Sequence, residues 1–165
     1  NEWWIMNKIS LLFHNKYLRK FKYNVKLEFC RSLLSAAETE QVDKYSYIIY
    51  LFDDKCEKAK MSNLIHELVH VKQFLKNELK YDSINKLFIW KNKKYITYDY
   101  YNSLVNKIVD LNSVDDGDKE NQRAKNKKIH KKYKRIPWEK DAFNHKYMRI
   151  LEKIKWKRKK QRKVV

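Results

Sequence analysis

Two histidines four residues apart flank a glutamate in the run His66-Glu67-Leu68-Val69-His70. On a helix, residues at that spacing share one face with Cβ atoms about 5–6 Å apart, so both imidazoles point the same way. Two neutral imidazoles so placed can hold one Zn²⁺. The glutamate beside the first can serve as general base toward a zinc-activated water. The surrounding residues predict the helix. Leu64, Ile65, Leu68, Val71 and Leu75 form an apolar stripe within residues 61–79, while His66, His70 and Gln73 fall at i, i+4 and i+7 on another face. Core packing and ligation therefore do not compete for the same side chains.

A catalytic zinc takes three protein ligands and leaves one position for water. A third histidine six residues after His70 is absent, because Lys76 stands there. The other common solution is a glutamate on a second helix. Ile136-Pro137-Trp138-Glu139-Lys140-Asp141-Ala142 supplies one: Pro137 suits the first turn, Glu139 follows within that turn, and Ala142 leaves room for close packing. Asp141 is the competing ligand, but two residues along a helix it points to a different side. Gln73 and Asp141 are candidates to support the ligands, and Tyr133, His145 and His130 to stabilise an oxyanion. Each of the last three also has a plainer reading as a surface residue. His14, Cys30 and Cys56 read as structural.

Other segments must position this constellation. Residues 3–21 carry helical apolar periodicity with a basic outer face, the N-terminal amphipathic helix. Residues 23–30 alternate as a half-buried strand, and residues 45–52 are rich in β-branched and aromatic side chains, as in a buried strand. Residues 33–44 are polar and give no clear element. Asp54 and Glu57 have the spacing of a capping box. Residues 87–90 and 95–98 flank a polar turn, as in a hairpin, and residues 101–111 suit a short helix. Residues 112–132 are polar and nearly free of apolar side chains, which predicts a mobile surface insertion. Residues 138–156 have helical periodicity again, and residues 153–165 form a basic tail.

The chain has 165 residues, enough for one domain with a real core, and 15% aromatic content argues against disorder. Its 39 Lys and Arg against 20 Asp and Glu give a net charge of +19. Such a surface attracts polyanions: nucleic acid, acidic protein or an anionic membrane face. The cations are mostly Lys, which favours general attraction over base reading. Lys155, Lys157, Arg158, Lys159, Lys160, Arg162 and Lys163 of the tail are the candidate nucleic-acid contacts. No apolar run approaches the ~18 residues of a bilayer span, no secretory leader is expected, and no membrane partner is expected. Two distant cysteines fit a reducing compartment. With one Gly and one Pro in the chain, turns must fall on Asn and Asp.

Together, the residues from His66 to Gln73, then Ile89-Trp90-Lys91 with Tyr95, then the residues from Pro137 to Ala142 resemble the small gluzincin-type metallopeptidase-like proteins of bacteriophage genomes. The resemblance spans roughly residues 45–143. It implies an α+β fold of minimal zincin type, a short sheet packed on two central helices, here within one domain over residues 1–165 bounded by N- and C-terminal amphipathic helices. It implies Zn²⁺ on His66, His70 and Glu139, Glu67 as catalytic base, a peptide or protein substrate, and a place in host cytoplasm or within a virion. In the wider group an Asp or Asn after Glu-x-x-Ala braces a zinc-bound His. Phe143 stands there in this chain, so the brace comes from elsewhere, Asp141 being the candidate, or is missing. The insertion before Pro137 is a second departure. An extended substrate is expected along a strand edge, that of residues 45–52. The competing function is a basic virion- or nucleoprotein-associated binding or structural protein that retains a zinc site.

Overall fold

The structure, a computed structural model, describes residues 2–30, 36–53, 57–112 and 119–152. It is an α+β fold. In chain order the elements are helix α1 (Glu2–Phe13), a π-helical turn (His14–Leu18), strands β1 (Asn24–Cys30), β2 (Ala37–Gln41) and β3 (Ser46–Phe52), helix α2 (Glu57–Leu75), strands β4 (Leu79–Asp82), β5 (Leu87–Trp90) and β6 (Lys93–Thr97), and helices α3 (Tyr98–Asn112), α4 (Lys119–Tyr133), α5 (Pro137–Ala142) and α6 (His145–Glu152).

The first sheet has the order β1-β3-β2, with β1 parallel and β2 antiparallel to β3. Alternation puts Tyr47, Ile49 and Leu51 of β3 on the buried face, where they join Met61, Leu64, Ile65 and Leu68 of α2 and Met6, Ile9 and Phe13 of α1 in one core. β3 is thus the central strand. The edge expected along residues 45–52 is occupied on both sides, and the strand edge next to α2 belongs to β2.

α2 is buried on every side through its second half, from Leu64 to Gln73. On such a helix the informative residues are the polar ones, since a buried polar group without partners is costly. Its end is a Schellman cap: the Glu78 N–H donates to the Gln73 carbonyl, the Asn77 N–H to the Phe74 carbonyl, and Asn77 takes φ of 56°. The β5–β6 hairpin turns through Lys91 and Asn92, both at positive φ, as a two-residue turn requires. Asn residues take two of these positions, in keeping with the scarcity of glycine, but Lys86 and Lys91 take the other two.

The second sheet, β4-β5-β6, is an antiparallel meander around Trp138. Phe88, Tyr95 and Tyr101 place their rings 5.2, 5.5 and 6.1 Å from the fully buried indole. This cage anchors α5 and fixes the position of its next residue, Glu139.

Three expectations change. The polar stretch 112–132 is largely helix α4, anchored by Ile129 and Tyr133 against the second core. The single helix expected over residues 138–156 is two helices, because the chain turns at Phe143 and Asn144, where the Asn144 carbonyl accepts the Tyr147 N–H. The polar stretch 33–44 contains the edge strand β2. The basic tail, with its seven candidate nucleic-acid contacts, and Cys56 lie outside the described residues. No helix among the described residues is long and apolar enough to cross a membrane.

Candidate metal centre

The structure brings His66, His70 and Glu139 together although His66 and Glu139 lie 73 residues apart in sequence. His66 Nε2 is 3.1 Å from Glu139 Oε2, His70 Nε2 is 3.6 Å from Glu139 Oε1, and the two Nε2 atoms are 3.1 Å apart. Ligands 2.0–2.1 Å from a tetrahedral zinc lie about 3.3 Å from one another, so the three separations fit one shared cation. The donor set, two imidazoles and a carboxylate, is of the zinc kind and also suits other imidazole-binding ions. Glu139 is fully buried, and His66 and His70 are 9% and 8% exposed.

Glu67 stands beside this triad. One of its carboxylate oxygens and the two histidine nitrogens lie within 4.8 Å of one another, which makes His66, Glu67 and His70 a possible ligand group by proximity alone. Contact favours Glu139 as third ligand. Glu67 makes no hydrogen bond to either ring; its Oε2 accepts one of 2.6 Å from the Thr39 hydroxyl on β2. That bond ties the Glu67 carboxylate to the strand edge.

Without a metal the triad is an ion pair. Burial works against charge on His70, but the Glu139 carboxylate outweighs it and raises the ring to about 9. Burial likewise opposes charge on Glu139, and the neighbouring His70 and His66 overcome it, holding the carboxyl well below the usual range. Burial, then the Glu139 charge, pushes the Tyr101 and Tyr133 hydroxyls well above the ordinary phenol value, so both remain donors.

The supports are asymmetric. His70 Nδ1 lies 2.9 Å from Gln73 Oε1, and the Gln73 amide NH₂ donates to the Trp138 carbonyl at 2.9 Å and to Asp141 Oδ2 at 3.0 Å. The amide carbonyl accepts the Nδ1 proton, so that once the ring gives up its second proton the Nε2 lone pair faces the triad. Asp141 reaches His70 through Gln73 rather than directly. It also lies 3.6 Å from the Nζ of buried Lys72, which hydrogen-bonds the Tyr147 hydroxyl. His66 has no such brace. Its buried Nδ1 has no hydrogen-bond partner among the described residues, and the Phe143 ring packs on the imidazole with centroids 4.4 Å apart.

Tyr101 was not among the expected site residues. Its hydroxyl donates to Glu139 Oε1 at 2.9 Å and lies 3.4 Å from the Tyr133 hydroxyl. Tyr133 lines the site behind Tyr101, without a hydrogen bond to Glu139. His130 sits on α4 away from the triad's contacts, and the side chain of His145 lies outside the described set. His14 is structural, its Nδ1 2.9 Å from the Tyr23 hydroxyl. Thr39 was the other residue missed, since its segment gave no element.

A cleft of about 390 Å³ opens beside Glu67, His70 and Glu139, between β2 and the aromatic side chains of β5 and α3. The alternation of the β2–β3 ladder, with the Val42 N–H on the Ser46 carbonyl and the Phe52 N–H on the Ala36 carbonyl, turns the backbone of Thr39 and Gln41 away from β3. Among the described residues no strand pairs with that side of β2.

No family model matches this chain, nor does any curated protein or solved structure.

Proposed function

We propose that the chain is a zinc-dependent peptide hydrolase, a minimal gluzincin-like domain with His66, His70 and Glu139 as ligands and Glu67 as general base. The observation that carries this reading is the mutual contact of two imidazole nitrogens and one buried carboxylate at 3.1–3.6 Å. Bound there, zinc would supply Lewis acidity, lowering the pKa of its water and polarising a carbonyl. Glu67 takes the proton from the attacking water and returns it to the leaving amine. Thr39 holds the Glu67 carboxylate in place. Tyr101 fixes Glu139, and Gln73 fixes the tautomer of His70. An extended peptide pairs with the outward backbone of Thr39 and Gln41, which brings its scissile carbonyl over the cleft.

The test is Glu67→Gln. The variant is expected to retain zinc and to lose hydrolysis of an unfolded protein substrate. Hydrolysis retained at the original rate rejects the assignment of Glu67.

A second reading, as a nucleic-acid-associated basic protein, is supported by α4. Lys125, Lys127, Lys128, Lys131 and Lys132 are exposed, and none forms an ion pair among the described residues. Retention on nucleic acid through this helix would fall steeply between ~50 and ~200 mM salt.

A further inference from the structure

Lys and Arg number 39 of the 165 residues, yet among the described residues none lines the cleft beside Glu67. Three acidic residues do: Glu38, Glu67 and Glu139. Two are committed, Glu139 to the imidazoles and Glu67 to Thr39. The Glu38 carboxylate has neither an ion pair nor a hydrogen bond among the described residues. Loss of solvation, followed by the charges of Glu67 and Glu40, raises its pKa. In so basic a chain, a cation to neutralise it would be easy to supply. None is supplied.

The other side of the cleft is aromatic. Phe88, Tyr98 and Tyr101 line it, with Tyr98 40% exposed and its ring 6.2 Å from Phe88. Ring faces attract ammonium and guanidinium groups. A divalent ion on the triad would offset Glu139 and Glu67, leaving Glu38 to set the sign of the cleft.

We propose that the cleft selects an extended peptide carrying a Lys or Arg side chain beside the scissile bond, its cation received between Glu38 and the tyrosine-rich wall. This rests on the peptide-hydrolase reading and names its substrate class. The overall field of the protein, at +19, repels such a peptide, so a preference for it arises only within the cleft.

The test uses blocked pentapeptides, Ala-Ala-Lys-Ala-Ala and the same sequence with Leu or Glu at the centre, titrated by calorimetry into the zinc-loaded full chain carrying Glu67→Gln. The Lys peptide is expected to bind about tenfold tighter than the Leu peptide, the effect of one charge-assisted contact. Adding Glu38→Gln is expected to shrink the preference to about twofold or less. Equal or undetectable binding of the Lys peptide, or a preference that survives Glu38→Gln, overturns the proposal. No bond is cleaved in this background, so the two readings fail separately. Lys-selective binding with an unmutated chain that hydrolyses nothing sinks the hydrolase reading alone. Hydrolysis without the preference sinks this inference alone.

Discussion

Gln73 accepts the Nδ1 proton of His70 across 2.9 Å, and so determines which ring nitrogen faces Glu139. The same amide donates to the Trp138 carbonyl and to Asp141, so one side chain links α2 to α5. Replacing Gln73 by Leu keeps the bulk but removes the acceptor and both donors. We expect zinc affinity to fall about 10–100-fold, as for other outer partners of metal-bound histidines. Competition with a chromophoric chelator measures it, and an unchanged affinity would show that the amide has no part in ligation.

Glu139→Ala removes the carboxylate while leaving both imidazoles. Two ligands hold zinc far more weakly than three, so purified Glu139→Ala protein is expected to carry little metal by elemental analysis. Glu67→Ala in the same assay is expected to keep its metal. Reversal of that pattern would make Glu67 the ligand and Glu139 its neighbour.

His66 invites the opposite experiment. Its Nδ1 is buried without a partner, and Phe143 covers the ring. Phe143→Asn offers an acceptor at the place where an aromatic ring now packs. Zinc binding is expected to tighten by about tenfold, measured in the same competition. Weaker binding would mean that the aromatic contact itself holds the imidazole in register.

The ion pair in the metal-free chain gives a pH dependence of definite sign. His70 is raised from 6.5 to about 9 in the folded state. Its contribution to stability is therefore complete below about 6.5, the unfolded value, and is lost as pH climbs toward about 9. The Glu139 carboxyl is lowered, so its share is present above the ordinary carboxylate range and lost in acid. In chelator the thermal midpoint should decline from pH 6.5 to 9. With zinc added the decline should vanish or reverse, because metal and protons compete for the same nitrogens.

Trp138 tests the second core. It is 1% exposed and its neighbours are rings on β5, β6 and α3. Trp138→Ala should cost about 3–5 kcal/mol in denaturant unfolding. It should also lower zinc affinity, since α5 loses its anchor. A large stability loss with ligation intact would separate the anchor from the site.

Much of this was legible in the residues. The alternation in β1 and the β-branched content of β3 marked both strands, and the four-residue spacing of His66 and His70 marked the face of α2 that meets Glu139. Pro137 and Trp138 marked the start of α5. What escaped had weak local patterning. Ala37–Gln41 reads Ala-Glu-Thr-Glu-Gln, poor in strand-forming residues, and is a strand because β3 offers it a ladder. β4 has four residues with only Leu79 buried, too few to show a period. α4 is rich in Lys, a good helix former, but among its described side chains the apolar ones that pack against the second core are Ile129 and Tyr133, so its amphipathic signal is faint. Tyr101 meets Glu139 across 38 residues of sequence, and no spacing rule spans such a gap.

The two cores meet at the triad. His66 and His70 belong to a helix rooted in one, and Glu139 follows the indole that organises the other. A cation held by all three would rivet these halves across 73 residues of chain. Amide hydrogen exchange in β4, β5 and α5 would then slow on zinc addition, and stripping the ion would let the meander breathe while α1 and β3 stay closed.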